Sequence, residues 1–437
     1  MQANLALRLV DVLSRKTVLT RYHFLRESQW WSREALRELQ LAKLRRLLVH
    51  CAVNVPFYRD VMRAKHIDPS RVTSLEVLDE FPVIDKGTVK AEIGAFRSRS
   101  THGLGLLRYT QTGGTTGEPL RFPKDSNVRS AAQAAMLLFH DWMGIGTRDP
   151  KLVVWGAPIV PRGVARRART WMLAQLFNVR EVNSFTLSRE QLPDVLGLLR
   201  RWKPKLIHGY CLTLVELARW MAEAGHTYAA RAVSTTVEPL FDADRVTLQA
   251  AFTCAAFDQY GCGEVEAIAM ECEAHQGLHV TEERVILELS ASGEVILTDL
   301  DNLAFPFIRY RNGDVAEAAA QKCLCGRESR VLRRILGRSG DIVIGLNGRR
   351  LHPEFFTHLI NESGIGGRRE LRRYQVVQES ANRIVWRMVC QPLLAEEERR
   401  LSEILREYLG PMDIRVENVE QISASASGKY RYVVNMT

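Results

Sequence analysis

The sequence predicts an α/β protein: a large N-terminal body of α/β layers with a β-rich subdomain, followed by a small, mobile α+β C-terminal domain. Three observations lead to this prediction. Strand and helix patterns alternate up to residue 260, two joined β-rich runs follow from residue 284, and a third pattern begins after residue 351. With 437 residues, of which 46% are hydrophobic, the chain is long enough for a substantial core and a second domain.

The N-terminal part begins with a helical pattern and then two strand patterns. Residues 32–50 have apolar side chains at helical spacing, which predicts an amphipathic helix that ends before Pro56. The segment TGGTTGEP, at 112–119, is polar and is flanked by a strand pattern on each side. A helix follows at 126–143. We therefore expect 112–119 to form a loop between two strands.

The middle of the chain alternates strictly between the two patterns. We predict strands at 151–158, 205–210 and 231–237, and helices at 192–202, 213–225 and 242–252. Ser188 and Gln191 form a capping box before the first of these helices, and Gly225 ends the second. This alternation predicts a largely parallel sheet.

The pattern changes twice after residue 284. Residues 284–300 are two strand patterns joined by a Ser-Gly turn, which predicts the β-rich subdomain. Strands are then predicted at 374–380 and 383–390, with a helix at 395–410. We therefore divide the chain into a body, 1–337, and a C-terminal domain, 338–437.

Composition limits the classes of partner. The net charge of +10 gives a positive surface that suits anionic ligands such as nucleotides, although the arginine clusters at 162–169 and 368–373 are expected simply to keep the protein soluble. The amphipathic N-terminal segment would suit a membrane surface, but we expect a helix docked on the body. Eight cysteines, several in apolar segments, suggest buried thiols in a reducing cytoplasm. We expect no nucleic-acid partner.

The glycine-rich segment can bind an anion, although it lacks the lysine of a Walker loop. Gly113, Gly114 and Gly117 can adopt positive φ and bring backbone N–H groups close to a phosphate. Thr112, Thr115 and Thr116 add hydroxyl donors. Because Glu118 follows Gly117, a P-loop kinase is excluded. A simple flexible turn remains the alternative for this segment considered alone.

Five short motifs, in order, resemble the adenylate-forming superfamily, which includes acyl-CoA synthetases, adenylation domains and luciferases. They are TGGTTGEP at 112–119, YGCGE at 260–264, YRNGD at 310–314, GR at 337–338 before the segment 341–354, and SGK at 427–429. Segments 54–60, 81–86 and 237–240 are similar to the phenylacetate–CoA ligase family. The ending, 425–435, resembles the branch of that family found in capsule and exopolysaccharide gene clusters.

The resemblance implies an ATP-dependent ligase that forms an acyl-adenylate and then transfers the acyl group to CoA. It implies nucleotide binding by Thr112, Gly113, Gly114, Thr115, Thr116, Gly117, Glu238, Tyr260, Gly261, Asp314 and Arg338. Tyr260 would stack on adenine and Asp314 would bind the ribose hydroxyls. Glu264 would be a magnesium (Mg2+) ligand and a catalytic residue. Lys429 would be the main catalyst of adenylation, since its ammonium group fits between carboxylate and α-phosphate.

The hinge departs from the family pattern. Relatives carry aspartate or lysine two residues after the hinge arginine, whereas this chain has Gly340. Glycine absorbs large φ/ψ changes, which suits a rotation of the C-terminal domain between the two half-reactions. The departure, with the resemblance to the polysaccharide branch, leaves open an amide-forming ligase that transfers the acyl group to an amine of a sugar or amino acid. A non-catalytic nucleotide-binding scaffold is a separate alternative of another class. Retention of Glu264, Asp314 and Lys429 argues against the scaffold.

Two further sites are predicted in the body. Cys272, His275, Cys323 and Cys325 form a C-x-x-H…C-x-C set that supplies four ligands for a structural zinc (Zn2+), as in some relatives. Unpaired thiols and a surface histidine are the alternative. Trp155, His208 and Tyr210 lie at predicted strand ends and are candidates for the acyl pocket. Core aromatic packing is the alternative for these three. The expected small-molecule partners are thus a carboxylic acid and either CoA or an amine.

Overall fold

The three-dimensional structure is a computed structural model of the full chain. It describes residues 11, 17–111, 120–155, 171–184, 187–338, 342–351, 355–356, 359–360, 363, 365–422 and 431–437. These residues fall into two compact units. The first comprises the described residues up to Asn312 together with Glu317–Arg334, and the second comprises Gly313–Ala316 and the described residues from Ile335 onward.

The helices and strands alternate as the sequence predicts. The α-helices are α1 (Val18–Ser28), α2 (Arg33–Asn54), α3 (Pro56–Ala64), α4 (Lys86–Ala91), α5 (Ile93–Phe96), α6 (Ser126–Trp142), α7 (Leu192–Trp202), α8 (Cys211–Glu223), α9 (Asp242–Phe252), α10 (Ile365–Arg368) and α11 (Ala395–Leu409). Short 3-10 helices span Pro69–Arg71, Leu75–Glu80 and Arg189–Gln191.

The strands of the first unit are β1 (Arg108–Gln111), β2 (Arg121–Lys124), β3 (Lys151–Trp155), β4 (Val179–Asn183), β5 (Leu206–Tyr210), β6 (Ala232–Thr236), β7 (Ala255–Tyr260), β8 (Ala269–Glu271), β9 (Leu278–Val280), β10 (Val285–Leu289), β11 (Glu294–Asp299), β12 (Tyr310–Ala318) and β13 (Val331–Arg338), the last two of which continue into the second unit. Those of the second unit are β14 (Val343–Ile344), β15 (Arg350–Leu351), β16 (Arg373–Ser380), β17 (Arg383–Val389), β18 (Asp413–Asn418) and β19 (Val433–Asn435).

Eleven of the described strands form one mixed sheet, in the order β10-β11-β12-β13-β9-β8-β7-β6-β5-β3-β4. Strands β4, β3, β5, β6 and β7 are parallel to one another. The pairs β7–β8, β8–β9, β9–β13 and β10–β11 are antiparallel. The sheet is therefore less parallel than the alternating pattern predicts. Beyond β7 the described connections are turns and loops without crossover helices, and the strand pairs named above are antiparallel.

Helices cover both faces of the parallel strands. On one face, α6 packs against apolar residues of β5, β6 and β7, and α1 packs on α6. The opposite face is covered by α7, α8 and α9. Gly209 in β5 is essential to this arrangement, because a Cβ there would lie 2.5 Å from the carbonyl oxygen of Val154 in β3. The position of α1 agrees, for the part of the N-terminal segment that the structure describes, with a helix docked on the body.

The predicted helix boundaries agree with the structure, whereas one strand of the large sheet is missing from the prediction. Helix α6 and the helix at 192–202 lie where the pattern predicts, and the capping box forms, with the Ser188 backbone N–H donating to Gln191 at 3.1 Å. Helix α2 ends at Asn54, before Pro56, as predicted, and Pro56 then occupies the first turn of a new helix, α3, where a missing N–H costs nothing. Strand β4 was not predicted.

The second unit has its own sheet and core. Its four-stranded sheet has the order β18-β17-β16-β19, and α11 covers one face. Trp386 lies at the centre of this core and is fully buried. No helix among the described residues is both long and apolar enough to cross a bilayer.

Candidate functional site

The predicted site residues of the first unit lie along one edge of the parallel strands. Trp155 and Tyr210 are the last residues of β3 and β5, Glu238 follows β6 by two residues, and Tyr260 is the last residue of β7. Because these strands are parallel, their carboxyl ends meet at the same edge, which is where open α/β sheets bind ligands. The structure therefore brings residues separated by more than a hundred positions to one edge.

Two hydrogen bonds join the segments 260–264 and 310–312. The hydroxyl of Tyr310 donates to Oε1 of Glu264 at 2.7 Å, and Nδ2 of Asn312 donates to the hydroxyl of Tyr260 at the same distance. Tyr310, Glu264 and Tyr260 are all buried. Tyr310 and Asn312 belong to the YRNGD motif, for which the resemblance implies a role only for Asp314, yet a phenol and an amide are suitable partners for an acid and a phenol.

Glycine at position 261 suits a close approach of the chain to itself. A Cβ at Gly261 would approach the backbone nitrogen of Ala267 to 3.0 Å, because the chain turns back on itself after β7. The turn is held by the N–H of Cys262, which donates to the carbonyl of Val265 at 2.9 Å. The same tight turn brings Glu264 back towards the end of β7.

Glu238 is positioned by an unusual backbone conformation. The preceding residue, Val237, has φ of +80°, which is rare for a β-branched side chain and costs of order 1–3 kcal/mol. Oε2 of Glu238 accepts a hydrogen bond from the backbone N–H of Leu212 at 3.5 Å, in the first turn of α8. The carboxylate thus faces the positive end of that helix.

In the second unit, the structure pairs two of the predicted nucleotide ligands with each other. Nε of Arg338 lies 3.5 Å from Oδ1 of Asp314, whose side chain is 13% exposed. An arginine beside the ribose-binding candidate can orient that carboxylate.

Eight predicted residues lie outside the described part of the chain. They are Thr112, Gly113, Gly114, Thr115, Thr116, Gly117, Gly340 and Lys429. For the first six, the flanking strands β1 and β2 are described: they form an antiparallel hairpin in which Gln111 is paired with Arg121. The predicted loop itself lies outside the described residues and stays a prediction.

The three acyl-pocket candidates contact one another. The rings of Trp155 and His208 are nearly parallel, with centroids 5.9 Å apart, and those of Trp155 and Tyr210 are 4.7 Å apart. Nδ1 of His208 lies 3.3 Å from the hydroxyl of Ser234 in β6. Burial lowers the pKa of His208 to about 4, although a hydrogen bond with the backbone of Ser234 acts in the opposite direction. His208 is therefore neutral at physiological pH.

The candidate metal centre contains His279 instead of the predicted His275. The ligand atoms of Cys272, His279, Cys323 and Cys325 all lie within 4.8 Å of one another. His279 lies on β9, opposite Met270 of β8, so the pleat carries it to the same side of the hairpin as Cys272. His275 lies in the turn between these strands, with φ of +53°, and its Nδ1 lies 3.3 Å from Oε1 of Glu271.

The distances suit a tetrahedral zinc ion. Sγ of Cys272 lies 3.6 Å from Sγ of Cys323, close to the roughly 3.8 Å expected for two thiolates on one zinc. Sγ of Cys325 lies 3.3 Å from Nε2 of His279. Nδ1 of His279 is 2.9 Å from the hydroxyl of Ser329, a contact that directs Nε2 towards the thiols.

One of the three thiols has a pKa that favours the thiolate, whereas burial raises the pKa of the Cys272 and Cys323 thiols. Burial acts to raise the pKa of Cys325, but hydrogen bonds from the backbone and side chain of Arg327 outweigh it, so that the pKa is lowered. The guanidinium of Arg327 lies between two tryptophan rings, with its central carbon 4.6 Å from the ring of Trp30 and 4.4 Å from that of Trp142. Arg327 thereby supplies a fixed positive charge beside the thiols.

Comparison with known proteins agrees with the motifs. Residues 343–436 match the family model of the CapK C-terminal domain. The chain is 26% identical over 348 residues to a phenylacetate-coenzyme A ligase of Aromatoleum evansii, an alignment covering 75% of this chain and 76% of that protein. It is also 26% identical over 355 residues to a phenylacetate-coenzyme A ligase of Thermus thermophilus, which covers 74% of each chain.

A solved structure shares the fold over almost the whole chain. It is 2-hydroxyisobutyryl-CoA ligase in the postadenylation state in complex with R3-HIB-AMP, with a TM-score of 0.72 and 18% identity, covering 93% of this chain and 90% of that one. The ordered motifs, the family model and the two relatives point the same way. The chain is thus similar in sequence to phenylacetate-coenzyme A ligases over about three quarters of its length, matches the CapK C-terminal domain near its end, and shares the fold of a solved CoA ligase.

Proposed function

We propose that the chain activates a carboxylic acid with ATP and transfers the acyl group to CoA. The observation that carries this proposal is the pair of hydrogen bonds, each 2.7 Å long, that joins Tyr260 and Glu264 to Asn312 and Tyr310. These are the two segments whose resemblance implies nucleotide and magnesium binding. The activity named for the curated relatives, phenylacetate-coenzyme A ligase, supports the same reaction.

The reaction has two steps. A carboxylate oxygen attacks the α-phosphorus of ATP, a phosphorus–oxygen bond forms, and pyrophosphate leaves. The CoA thiol, after losing its proton, then attacks the acyl carbon, and AMP leaves as the thioester forms. Charge builds up on phosphate oxygens in the first step, so the site needs cationic and N–H groups around them.

Different residues are proposed to bind the magnesium ion, the nucleotide and the reacting phosphate. Glu264 is the proposed magnesium ligand, and the Tyr310 hydroxyl holds its Oε1, leaving Oε2 without a hydrogen-bond partner among the described residues. Magnesium, when bound, would neutralise phosphate charge. Tyr260 and Asp314 are proposed to hold adenine and ribose, with the segment 112–117 around the phosphates. Lys429 is proposed to approach the α-phosphate from the C-terminal domain.

We also propose that Cys272, His279, Cys323 and Cys325 bind a structural zinc. The three thiols and the imidazole, together with the distances between them, are the observations that favour it. The zinc would join the β8–β9 hairpin to the segment between β12 and β13. Its proposed role is therefore stability, not catalysis.

ATP–pyrophosphate exchange with a panel of carboxylic acids tests the first step. We expect exchange with at least one acid, and we expect Lys429→Ala to lose at least about 100-fold of it while still binding ATP, because the lysine acts mainly on the transition state. Lys322→Ala, which removes an exposed lysine paired with Glu328, is the matched control and should exchange normally. Exchange that is unaffected in Lys429→Ala contradicts the assignment.

Mass analysis of the products, with and without CoA, tests the second step. A CoA thioester is the expected product. An acyl-adenylate that reacts only with an added amine would favour the amide-forming alternative that Gly340 leaves open. A role in polysaccharide biosynthesis, which the similarity of residues 425–435 suggests, then depends on which acid is used.

A further inference from the structure

The inference concerns the sheet face beneath the carboxyl edge, at the acyl-pocket candidates. Strand register places Trp155 beside Tyr210, and Tyr210 beside Thr236, in a first row across β3, β5 and β6. A second row, two residues deeper, contains Val153, His208, Ser234 and Phe257. Side chains of both rows point to the same face, because residues two apart in a strand do so. Helix α6 covers this face.

Polar groups on this face lack the partners that they need. Oε1 of Gln259, which follows Phe257 by two residues in β7, is buried without a hydrogen-bond partner, and its Nε2 contacts only Sδ of Met136, at 3.0 Å. His208 uses Nδ1 towards Ser234, and no described residue pairs with its Nε2. An amide on β7 and an imidazole on β5, the two strands that flank β6, are therefore incompletely satisfied, which is costly in an interior.

Helix α6, which covers this face, contributes a third polar side chain with an unsatisfied atom. His140, in the last turn of α6, has a buried Nδ1 without a partner. Its imidazole is close enough to His208 and Lys151 for their charges to act on it. Nζ of Lys151 donates to three backbone carbonyls, of Gly146, Thr147 and Asp149, so this ammonium is already satisfied. Three polar side chains from α6, β5 and β7 thus remain to be satisfied.

The charge state of these groups indicates what they can bind. Burial lowers the pKa of His140 to about 3 and that of His208 to about 4, so both rings are neutral at pH 7. A neutral imidazole offers one donor and one acceptor, and an amide offers both. These neutral groups suit a ligand with a hydroxyl or a carbonyl, which can donate or accept a hydrogen bond without bringing a charge into the interior.

We propose that the acyl pocket takes a carboxylic acid bearing an uncharged hydrogen-bonding group, such as a hydroxyl, that is recognised by His208, Gln259 and His140. The inference rests on the proposed function, because it concerns the acid that is activated. Trp155 and Tyr210 would pack against the hydrocarbon part of the acid at the mouth. A site built to bond a hydroxyl discriminates strongly against the analogue that lacks it, since its own buried groups then stay unpaired.

Matched pairs of acids test this inference. We would compare kcat/KM in ATP–pyrophosphate exchange for phenylacetate with 4-hydroxyphenylacetate, cinnamate with 4-coumarate, and butyrate with 3-hydroxybutyrate. In at least one pair we expect the hydroxylated acid to be favoured by about tenfold or more. His208→Phe should reduce that preference by about tenfold, and His208→Gln, which keeps a polar group, should retain more of it. His102→Phe, at an exposed histidine, should leave the preference unchanged.

Two results would overturn the inference. One is a preference for the unsubstituted acid in all three pairs; the other is a preference that His208→Phe leaves unaltered in a protein whose melting temperature is unchanged. Absence of exchange with every acid would instead contradict the proposed function. In that case calorimetric titration of the same pairs decides the inference separately: tighter binding of the hydroxylated acid supports it, and equal or no binding overturns it.

Discussion

At the scale of single residues, the hydroxyl of Tyr310 holds the carboxylate of Glu264, and we expect it to matter for activity. Tyr310→Phe removes one oxygen atom from a buried side chain and should lower kcat/KM for pyrophosphate exchange about tenfold, as is usual when the partner of a metal ligand is lost. The magnesium concentration needed for half-maximal activity should rise as well.

Tyr228→Phe is the matched control for this substitution. It removes a hydroxyl that donates to the carbonyl of Pro204 at 2.9 Å, away from the carboxyl edge. Its kinetics should be unchanged although it too loses a hydrogen bond. An equal loss of activity in both variants would mean that Tyr310 only supports the fold.

The buried imidazole of His140 predicts a loss of stability in acid. Burial, followed by the nearby charges of Lys151 and His208, lowers its pKa from 6.5 to about 3. The unfolded chain takes up a proton below pH 6.5 and the folded chain does not, so the contribution is present above pH 6.5 and is lost as the pH falls towards 3. At pH 5 the cost is about 2 kcal/mol.

Urea unfolding at pH 7.5 and pH 5.0 measures this effect. The wild type should lose more stability between the two pH values than His140→Gln, by about 2 kcal/mol. His102→Gln, at an exposed histidine, should behave as the wild type does. Identical losses in all three proteins would show that His140 is already protonated or that the fold adjusts around it.

Residue types in the site could be predicted from the sequence, whereas their neighbours in space could not. The motifs identify Tyr260, Glu264 and Asp314, but the bond from Tyr310 to Glu264 depends on how β7 and β12 are placed. The histidine of the metal centre shows the same limit. Both His275 and His279 stand near Cys272, and only the β8–β9 pairing determines which one reaches the thiols.

At the scale of elements, the β3–β5 pairing depends on the absence of a side chain at Gly209. A Cβ there would lie 2.5 Å from the carbonyl oxygen and 2.9 Å from Cβ of Val154. We expect Gly209→Ala to destabilise the protein by about 1–3 kcal/mol, as overpacking does. Gly197→Ala is the control, since its Cβ would meet only Nη2 of Arg201, at 3.7 Å, and alanine favours the helix. Equal stability of both variants would contradict this account.

The β8–β9 hairpin and the thiols near it give a prediction about metal content. Protein purified without chelators should contain about one zinc per chain. His279→Gln should lose the zinc and melt at a lower temperature, because three thiolates leave one position open. The matched variant His275→Gln should keep the metal, since that ring contacts Glu271 instead. Loss of zinc in His275→Gln alone, or its absence from the wild type, contradicts the proposed site.

Elements with a strong pattern could be predicted, and those stabilised mainly by neighbours could not. Helices α6 and α7 have long, regular patterns with caps, and both lie where expected. Strand β4 has five residues, none of them fully buried, at the edge of the sheet, so alternation gives no signal. Its pairing with β3 comes from the tertiary fold.

At the scale of the whole molecule, chain order and sheet order differ in a way that local patterns cannot reveal. Strand β13 pairs with β9, although β10, β11 and β12 come between them in the sequence. This pairing brings Cys323 and Cys325, which precede β13, to the hairpin that carries Cys272 and His279. The metal centre is thus a product of topology, and its four ligands span more than fifty residues.

The second unit has a core of its own, which predicts that it can unfold separately. Trp386 is fully buried there, with ring centroids 5.6 Å from Phe356 and 6.1 Å from Tyr374. Trp386→Ala should remove about 3–5 kcal/mol of stability from this unit. Calorimetry should then show an early transition for the second unit and an unshifted one for the first.

Pyrophosphate exchange should depend on the second unit more strongly than ATP binding does. At a temperature between the two transitions, Trp386→Ala should still bind ATP through Tyr260 and the other ligands of the first unit, although more weakly, because Asp314 and Arg338 belong to the second unit. It should lose pyrophosphate exchange, because Lys429 is carried by the C-terminal domain. Phe252→Ala, in the core beneath α9, is the matched control and should lower the transition of the first unit and, with it, ATP binding. If Trp386→Ala instead moves a single transition and abolishes ATP binding at the same temperature, the two units fold as one, and exchange cannot be assigned to a separate domain.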